Sequence, residues 1–460
     1  MTTFTFLTVL IGLLASASFL WATLKIRDVF HPLAYLMPMA LFLYVFLPVE
    51  LLRENLFSFS QFTAGELTKA QVLNASCVLA LAIGILIGGR ERGRTSPTPT
   101  TLLPRQVNRV FGIAIGLGVV GLAAFAVNVN NVGGLFEAYS QEKGGGTADS
   151  GYVRDAIFWS VSALAALTVC LRYDGVRSRY LAAGAFFAAP MVIHGLLGGR
   201  RGPTFIAFSI LAAVYYLGRN KRPSLLIFVS GGALLGLLLL LIVTFRDQFR
   251  FGSDLFYKPT STLETMMDQL NTERSETVER TLGADEFIYG VDVVTRFSEG
   301  RTDTIFWGRR VLTIMFVRPI PSQFWPTKYQ DVGMERYLIN VGLGGVDQYS
   351  SVANGAAPGF AADLFAEFGW GAIIAALCIG WGYGRVWKNA RAVGGIWLVL
   401  YVLLISLSIF FVIQTLEAML YRLLLTALPI VILWRMMVFR KHVSALRASP
   451  ALSPVEALGR

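Results

Sequence analysis

Ser224 to Phe245 reads SLLIFVSGGALLGLLLLLIVTF and holds no charged residue. At a rise of ~1.5 Å per residue, a helix of this length spans the ~30 Å hydrocarbon core of a bilayer. A helix apolar on every face is either buried in a large core or immersed in lipid. The rest of the chain decides for lipid. Apolar stretches of similar length recur near 4–24, 32–52, 71–89, 110–128, 154–171, 181–198, 203–218, 359–384, 394–413 and 416–437. Hydrophobic residues make up 55% of the chain and charged residues only 15%, against about 25% charged in an ordinary soluble domain. The expected fold is an all-α polytopic membrane protein with about eleven transmembrane helices.

The first stretch has no basic segment before it and many spans behind it, so it is read as a span rather than a cleaved signal. Cys77, Cys170 and Cys378 all fall in apolar stretches, and neither disulfides nor a cysteine metal cluster is expected. The net charge of +11 does not point to nucleic acid, because the basic residues sit in short loops beside the spans. Arg90, Arg105 and Arg109, then Arg172, Arg177 and Arg179, then Arg219, Lys221 and Arg222, then Arg385, Lys388 and Arg391 all fall on one side if the spans alternate. By the positive-inside rule that side is the cytoplasm. The N-terminus and the long segment 246–357 are then outside, and the C-terminus inside. No internal repeat is visible, which leaves an inverted-repeat transporter without support.

One turn breaks the charge rule. Gly198-Gly199-Arg200-Arg201-Gly202-Pro203 joins two spans on the outer side. Arginine near membrane depth costs roughly 2.5–3.5 kcal/mol on insertion scales and usually serves function. Either the turn is functional, or the alternation slips there and the arginines are ordinary inside charges.

Segment 246–357 divides into parts. Thr262 to Glu279 reads as an acidic amphipathic helix, with Leu263, Met266, Met267 and Leu270 at helical spacing. Gly308 to Phe324 is more apolar and carries Arg309, Arg310 and Arg318. Its apolar run, Val311 to Val317, is too short to span, and Pro319, Pro321 and Pro326 end any regular helix, so it is expected at the interface or re-entering partway. Trp325 and Tyr329 suit the headgroup level. Arg309, Arg310, Arg318 and Lys328 thus share a side with Arg200 and Arg201. Arginine forks bind phosphate oxygens in pairs. The cluster is read as a phosphate or pyrophosphate site, with a solvated basic face as the plainer alternative.

Ionisable residues also enter the spans. Asp363 and Glu367 are four apart and share a helical face. Glu417 and Arg422 lie in the last apolar stretch, and His194 sits about one turn before the Gly-Gly-Arg-Arg turn. The carboxylates suit a general base and its partner, or a structural ion pair, for example with Arg422. His194 is equally a proton-transfer group or a hydrogen-bonded interior histidine. Three histidines in the whole chain argue against a histidine metal centre, and no GxxxxGK[ST] nucleotide loop occurs.

Three stretches carry a family resemblance. Leu196-Leu197-Gly198-Gly199-Arg200-Arg201-Gly202-Pro203 resembles the Gly-Ser-Arg-Gly turn of bacterial Wzy-type O-antigen and oligosaccharide repeat-unit polymerases, relatives of the O-antigen ligases. Arg318-Pro319-Ile320-Pro321-Ser322-Gln323-Phe324-Trp325-Pro326-Thr327-Lys328 resembles their Trp-Pro-x-Lys stretch, though Ser322 stands where arginine is common. Pro358 to Gly371 resembles their Glu-Leu-Tyr-x-Asn-Phe-Gly helix start, with Asp363 in place of the glutamate. The likeness is strongest from Gly195 to Gly384.

The resemblance implies a GT-C-like plan of about a dozen spans in the bacterial inner membrane. Residues 1–245 would form an N-terminal transmembrane bundle and 246–357 a large periplasmic loop, partly helical and interfacial. Residues 358–442 would supply the last transmembrane helices and 443–460 a cytoplasmic tail. The implied reaction is metal-independent and cofactor-free glycosyl transfer between oligosaccharides linked to undecaprenyl pyrophosphate. The implied partners are that lipid-linked oligosaccharide, membrane lipid and a chain-length regulator protein. Arg200, Arg201, Arg309, Arg310, Arg318, Lys328 and Arg422 would bind the pyrophosphate, and Asp363, Glu367 or His194 would be the base. An O-antigen ligase with the same donor and a non-enzymatic flippase or exporter are the competing readings.

Overall fold

The computed structural model describes residues 2–53, 62–90, 100–140, 151–249, 251–272, 284–298, 305–334 and 357–436. Among these residues the fold is helical, with no strand. Among the described residues, nine helices are long and apolar enough to cross a membrane. In chain order the first eight helices with a bearing on the site are α1 (Thr2–Lys25), α2 (Pro32–Arg53), α3 (Ala64–Gly89), α4 (Pro104–Asn131), the short α5 (Leu135–Ser140) and α6 (Gly151–Ala156), α7 (Trp159–Asp174), and α8 (Ser178–Leu196). They are followed by α9 (Arg201–Gly218), α10 (Leu225–Thr244), α11 (Pro259–Thr272) and α12 (Ala284–Ser298). Next comes α13, which starts as Arg309–Leu312 and continues as a π-turn over Thr313–Val317. The chain closes with α14 (Gly359–Phe368), α15 (Ala372–Ala392), α16 (Ile396–Gln414) and α17 (Leu416–Trp434).

Every expected span coincides with a helix. Those near 181–198 and 203–218 form α8 and α9, which fall outside the nine. The span expected near 359–384 is longer and is interrupted. Gly369 has φ +54°, which ends α14, and a single 3-10 turn leads into α15. A positive φ is open to glycine at little cost and to few other residues. The amphipathic helix expected over 262–279 is present as α11, with Met266 buried. Its continuation past residue 272, most of the polar tract Thr95–Thr101, segment 335–356 and the tail 443–460 lie outside the described residues. Cys77 and Cys170 are buried free thiols, and Cys378 is an exposed one.

Local signals set the helix starts. Thr63 and Glu66 close a reciprocal capping box on α3: the Glu66 amide donates to the Thr63 hydroxyl at 3.2 Å, and the Thr63 amide to the Glu66 carboxylate at 2.6 Å. Thr415 accepts from the Ala418 amide at the start of α17. α7 and α16 are buried on nearly every face and form the centre of the bundle, whereas α10 is buried on almost none. The closest helix pair is α3 with α15. Gly84 and Gly88 meet the carbonyls of Leu377 and Trp381, while Gly380 and Gly384 meet those of Leu81 and Ile85. A Cβ at any of the four positions would collide with backbone. Small residues at this spacing let membrane helices touch along their backbones.

The connections separate to two ends of the bundle. At one end Arg222 pairs with Asp28 at 2.6 Å, Trp387 donates to Asp28, Lys388 donates to the Arg90 carbonyl, and Arg179 donates to Asn108. These are the short basic loops that the sequence places together. At the other end the backbone of Phe251 bonds that of Tyr139, Tyr152 bonds the carbonyls of Arg318 and Ile320, and α12 packs on α14. The described parts of the segment between α10 and α14 therefore lie at the end opposite the basic loops.

Candidate functional site

Asp363 and Glu367 project from one face of α14, as their spacing requires. Arg310 of α13 meets them both: Nη2 lies 2.6 Å from Asp363 Oδ1 and Nε 2.6 Å from Glu367 Oε1. A third carboxylate, Glu417 in the first turn of α17, lies 2.6 Å from the same Nη2, off the N–H axes. The second Asp363 oxygen accepts the amide of Leu416 at 2.7 Å, the first residue of α17. All three carboxylates are 0% exposed. One guanidinium therefore ties α13 to two membrane helices.

This arrangement corrects two expectations. The ion pair that Asp363 and Glu367 form is with Arg310, not Arg422, because the α13 guanidinium lies 2.6 Å from each of the three carboxyls. Arg310 is also spent on that pairing rather than held open for a phosphate. Neither Asp363 nor Glu367 reaches solvent, so neither is presented to an attacking hydroxyl.

A second group lies beside the first. Arg318 leaves the end of α13 and lies 3.9 Å above the Tyr421 ring. Its Nη2 is 3.4 Å from Asp155 Oδ2, which also accepts the Tyr421 hydroxyl at 2.5 Å. Arg422, the next residue on α17, stacks over the Phe410 ring at 4.0 Å and donates to the Ala418 carbonyl, while its Nε has no partner. Arg422 is close enough to feel the charges of Arg318, Asp155 and Arg154. Arg154 in turn lies in electrostatic reach of His194, as does Arg200. Arg318 thus contacts Asp155, Arg422 lies within electrostatic reach of both and of Arg154, and His194 lies within reach of Arg154 and Arg200.

Lys328 completes the wall. It is 2% exposed, and its ammonium donates to the carbonyls of Arg318 and Ile320 and to the Tyr152 hydroxyl. Burial, helped by the Arg318 charge, pushes its ammonium below the ordinary lysine range. These bonds pin the Arg318-Pro319-Ile320 turn, so Lys328 shapes the site instead of offering a free charge. Asp331 accepts from the Trp325 indole and the Thr327 hydroxyl, bonds that hold its carboxyl below the usual range.

The Gly-Gly-Arg-Arg turn separates its two arginines. Arg201 forms an ion pair with buried Glu286 on α12, which anchors the long segment to α9. Arg200 precedes α9 and faces the Tyr139–His194 pair, whose hydroxyl and Nδ1 are 3.3 Å apart. Burial raises the Tyr139 phenol to about 12, against the pull of Arg200. Gly195 brings α8 against Thr204 of α9, and Gly202 sits under the Phe410 ring that carries Arg422. Arg309 points away from both groups and donates to the Val332 carbonyl.

Sequence reasoning missed Arg154, Asp155 and Tyr421 as site residues, and named Glu417 only as an ionisable residue within a span. The first two form a charged pair at the mouth of a span, which was a readable signal. Tyr421 carried none, because an aromatic near a span end is ordinary. No family model matches the chain, and no curated protein or solved structure matches it either.

Proposed function

We propose that the protein joins oligosaccharide units carried on undecaprenyl pyrophosphate, at the periplasmic face of the bacterial inner membrane. The observation that carries this reading is a group of arginines at the end of the bundle opposite the basic loops: Arg318 on Asp155 and Tyr421, with Arg422 and Arg154 within electrostatic reach. Arginine forks suit a diphosphate. Donors held in place before the reaction stabilise charge that appears in the transition state.

In the reaction a hydroxyl oxygen of the acceptor sugar attacks the anomeric carbon of the donor. The new C–O bond forms as the anomeric bond to the diphosphate oxygen breaks. The electron pair leaves with the polyprenyl diphosphate, whose added charge falls to the arginines. The hydroxyl proton passes to His194, the one of the expected bases that is not tied into the Arg310 cluster. Arg310, with Asp363, Glu367 and Glu417, keeps α13 in place. The same donor chemistry serves an O-antigen ligase, so the acceptor distinguishes the two. A chain-length regulator is the protein partner this activity calls for.

The test uses purified protein in nanodiscs with lipid-linked repeat units and, separately, with lipid A–core as acceptor. Ladders of polymer are expected with the first. Arg318→Ala or Arg422→Ala should slow transfer ~10²-fold or more, and Arg309→Ala should leave it within about threefold. Absence of product from the intact protein, or full rates in both variants, overturns the reading.

A further inference from the structure

The anion site contains an anion of its own. Asp155 lies at the junction of α6 and α7, 3.4 Å from Arg318, and its carboxylate takes the Tyr421 hydroxyl at 2.5 Å. Its side chain is 14% exposed, unlike the 0% of the three carboxyls around Arg310. A fixed negative charge weakens a phosphate site. Arg318 has a second support besides Asp155, the face of the Tyr421 ring.

We propose that Asp155 sets which phosphate ester the site retains: it repels the free polyprenyl diphosphate more than the glycosylated donor, and so expels the product. The inference rests on the lipid-diphosphate reading of the site. The charge argument follows from the bond changes. The donor is a diphosphate diester with two ionised oxygens. When the anomeric bond breaks, the electron pair stays on the leaving oxygen, and the product monoester gains one further negative charge. That added charge arises where the glycosidic oxygen had been, amid the same arginines. The arginines alone would bind the product more tightly than the donor and stall turnover. A carboxylate at contact distance from one of them opposes that one additional charge.

The two roles of Tyr421 fit this assignment. Its ring supports Arg318, and its hydroxyl fixes Asp155. Gain of a ligand and retention of the carboxylate are therefore compatible, because Tyr421 gives each charge a second contact besides the other.

The experiment measures binding of undecaprenyl diphosphate and of N-acetylglucosaminyl-diphospho-undecaprenol to the full chain in nanodiscs, for the native protein, Asp155→Asn and Asp155→Glu. Asp155→Asn should tighten the monoester about tenfold (about 1.4 kcal/mol) and the diester by much less, and Asp155→Glu should restore the native ratio. Turnover in the Asn variant should show stronger inhibition by added undecaprenyl diphosphate. Equal shifts for both ligands, or weaker binding of the monoester, overturns the role of Asp155 while leaving the site reading intact. Failure of the native protein to bind either lipid overturns both. Native-like thermal melting of the Asn variant shows that a changed ratio reflects charge rather than misfolding.

Discussion

Arg310→Met tests the claim that one guanidinium locks the loop segment onto the membrane helices. The substitution keeps most of the side-chain volume and removes the charge. It leaves Asp363, Glu367 and Glu417, each 0% exposed, with no cation among them. Removing one partner of a buried pair typically costs about 3–5 kcal/mol. Three pairs do not make this three times larger, because the stranded carboxyls can take up protons instead of staying charged. The expected loss is therefore about 3–5 kcal/mol, read from denaturant unfolding in detergent. The same substitution in an Asp363→Asn, Glu367→Gln, Glu417→Gln background removes a cation that no longer has anions to serve. There the cost should fall by about 0.5–3 kcal/mol, the range of coupling between residues in contact. An Arg310→Met loss below about 1 kcal/mol, or an equal loss in both backgrounds, would refute the reasoning. Either result would mean that apolar packing of α13, and not the ion cluster, holds the segment.

The glycine seam between α3 and α15 yields a second prediction. Gly88→Leu or Gly384→Leu must push two backbones apart, and each should cost roughly 1–3 kcal/mol or more, seen as a lower melting temperature, while Gly112→Leu, where nothing lies within 4 Å, should be close to neutral. Lys328→Met removes one of the two donors that the Arg318 and Ile320 carbonyls share, the other being the Tyr152 hydroxyl, and should cost about 0.5–1.5 kcal/mol. Its effect on transfer should match that of Tyr152→Phe in direction, because both side chains hold the same turn. Normal transfer in both variants would show that the turn keeps its shape without them.

What the sequence made legible follows from how far each signal reaches along the chain. Spans were readable because lipid imposes composition locally, residue by residue, over each ~30 Å crossing. The grouping of the basic loops was readable because alternation carries one loop's side to all the others. The common face of Asp363 and Glu367 was readable from helical period alone. Their partner was not. Arg310 is 53 residues from Asp363 in sequence, and Arg422 was nearer the last spans and looked the better match. Choosing between them needs the path of segment 305–334, which no local pattern encodes. The same limit hid Asp155, whose partners Arg318 and Tyr421 arrive from distant parts of the chain.

The two arginine groups are joined by a geometric fact about α17. Glu417 faces Arg310, and Tyr421 faces Arg318. The two α17 residues are four apart and so lie on one helical face. Arg310 opens α13 and Arg318 follows its π-turn, so both ends of α13 are held by that single face. The π-turn widens the helix by one residue just where the second arginine must be re-aimed, a common use of such turns at functional sites. A displacement of α17 relative to α14 would therefore act on both groups at once: it would strain the buried cluster at Glu417 and shift the ring on which Arg318 lies. The buried cluster opposes such displacement, and this gives three solvent-excluded carboxyls a reason to be kept so close to a site that they cannot touch.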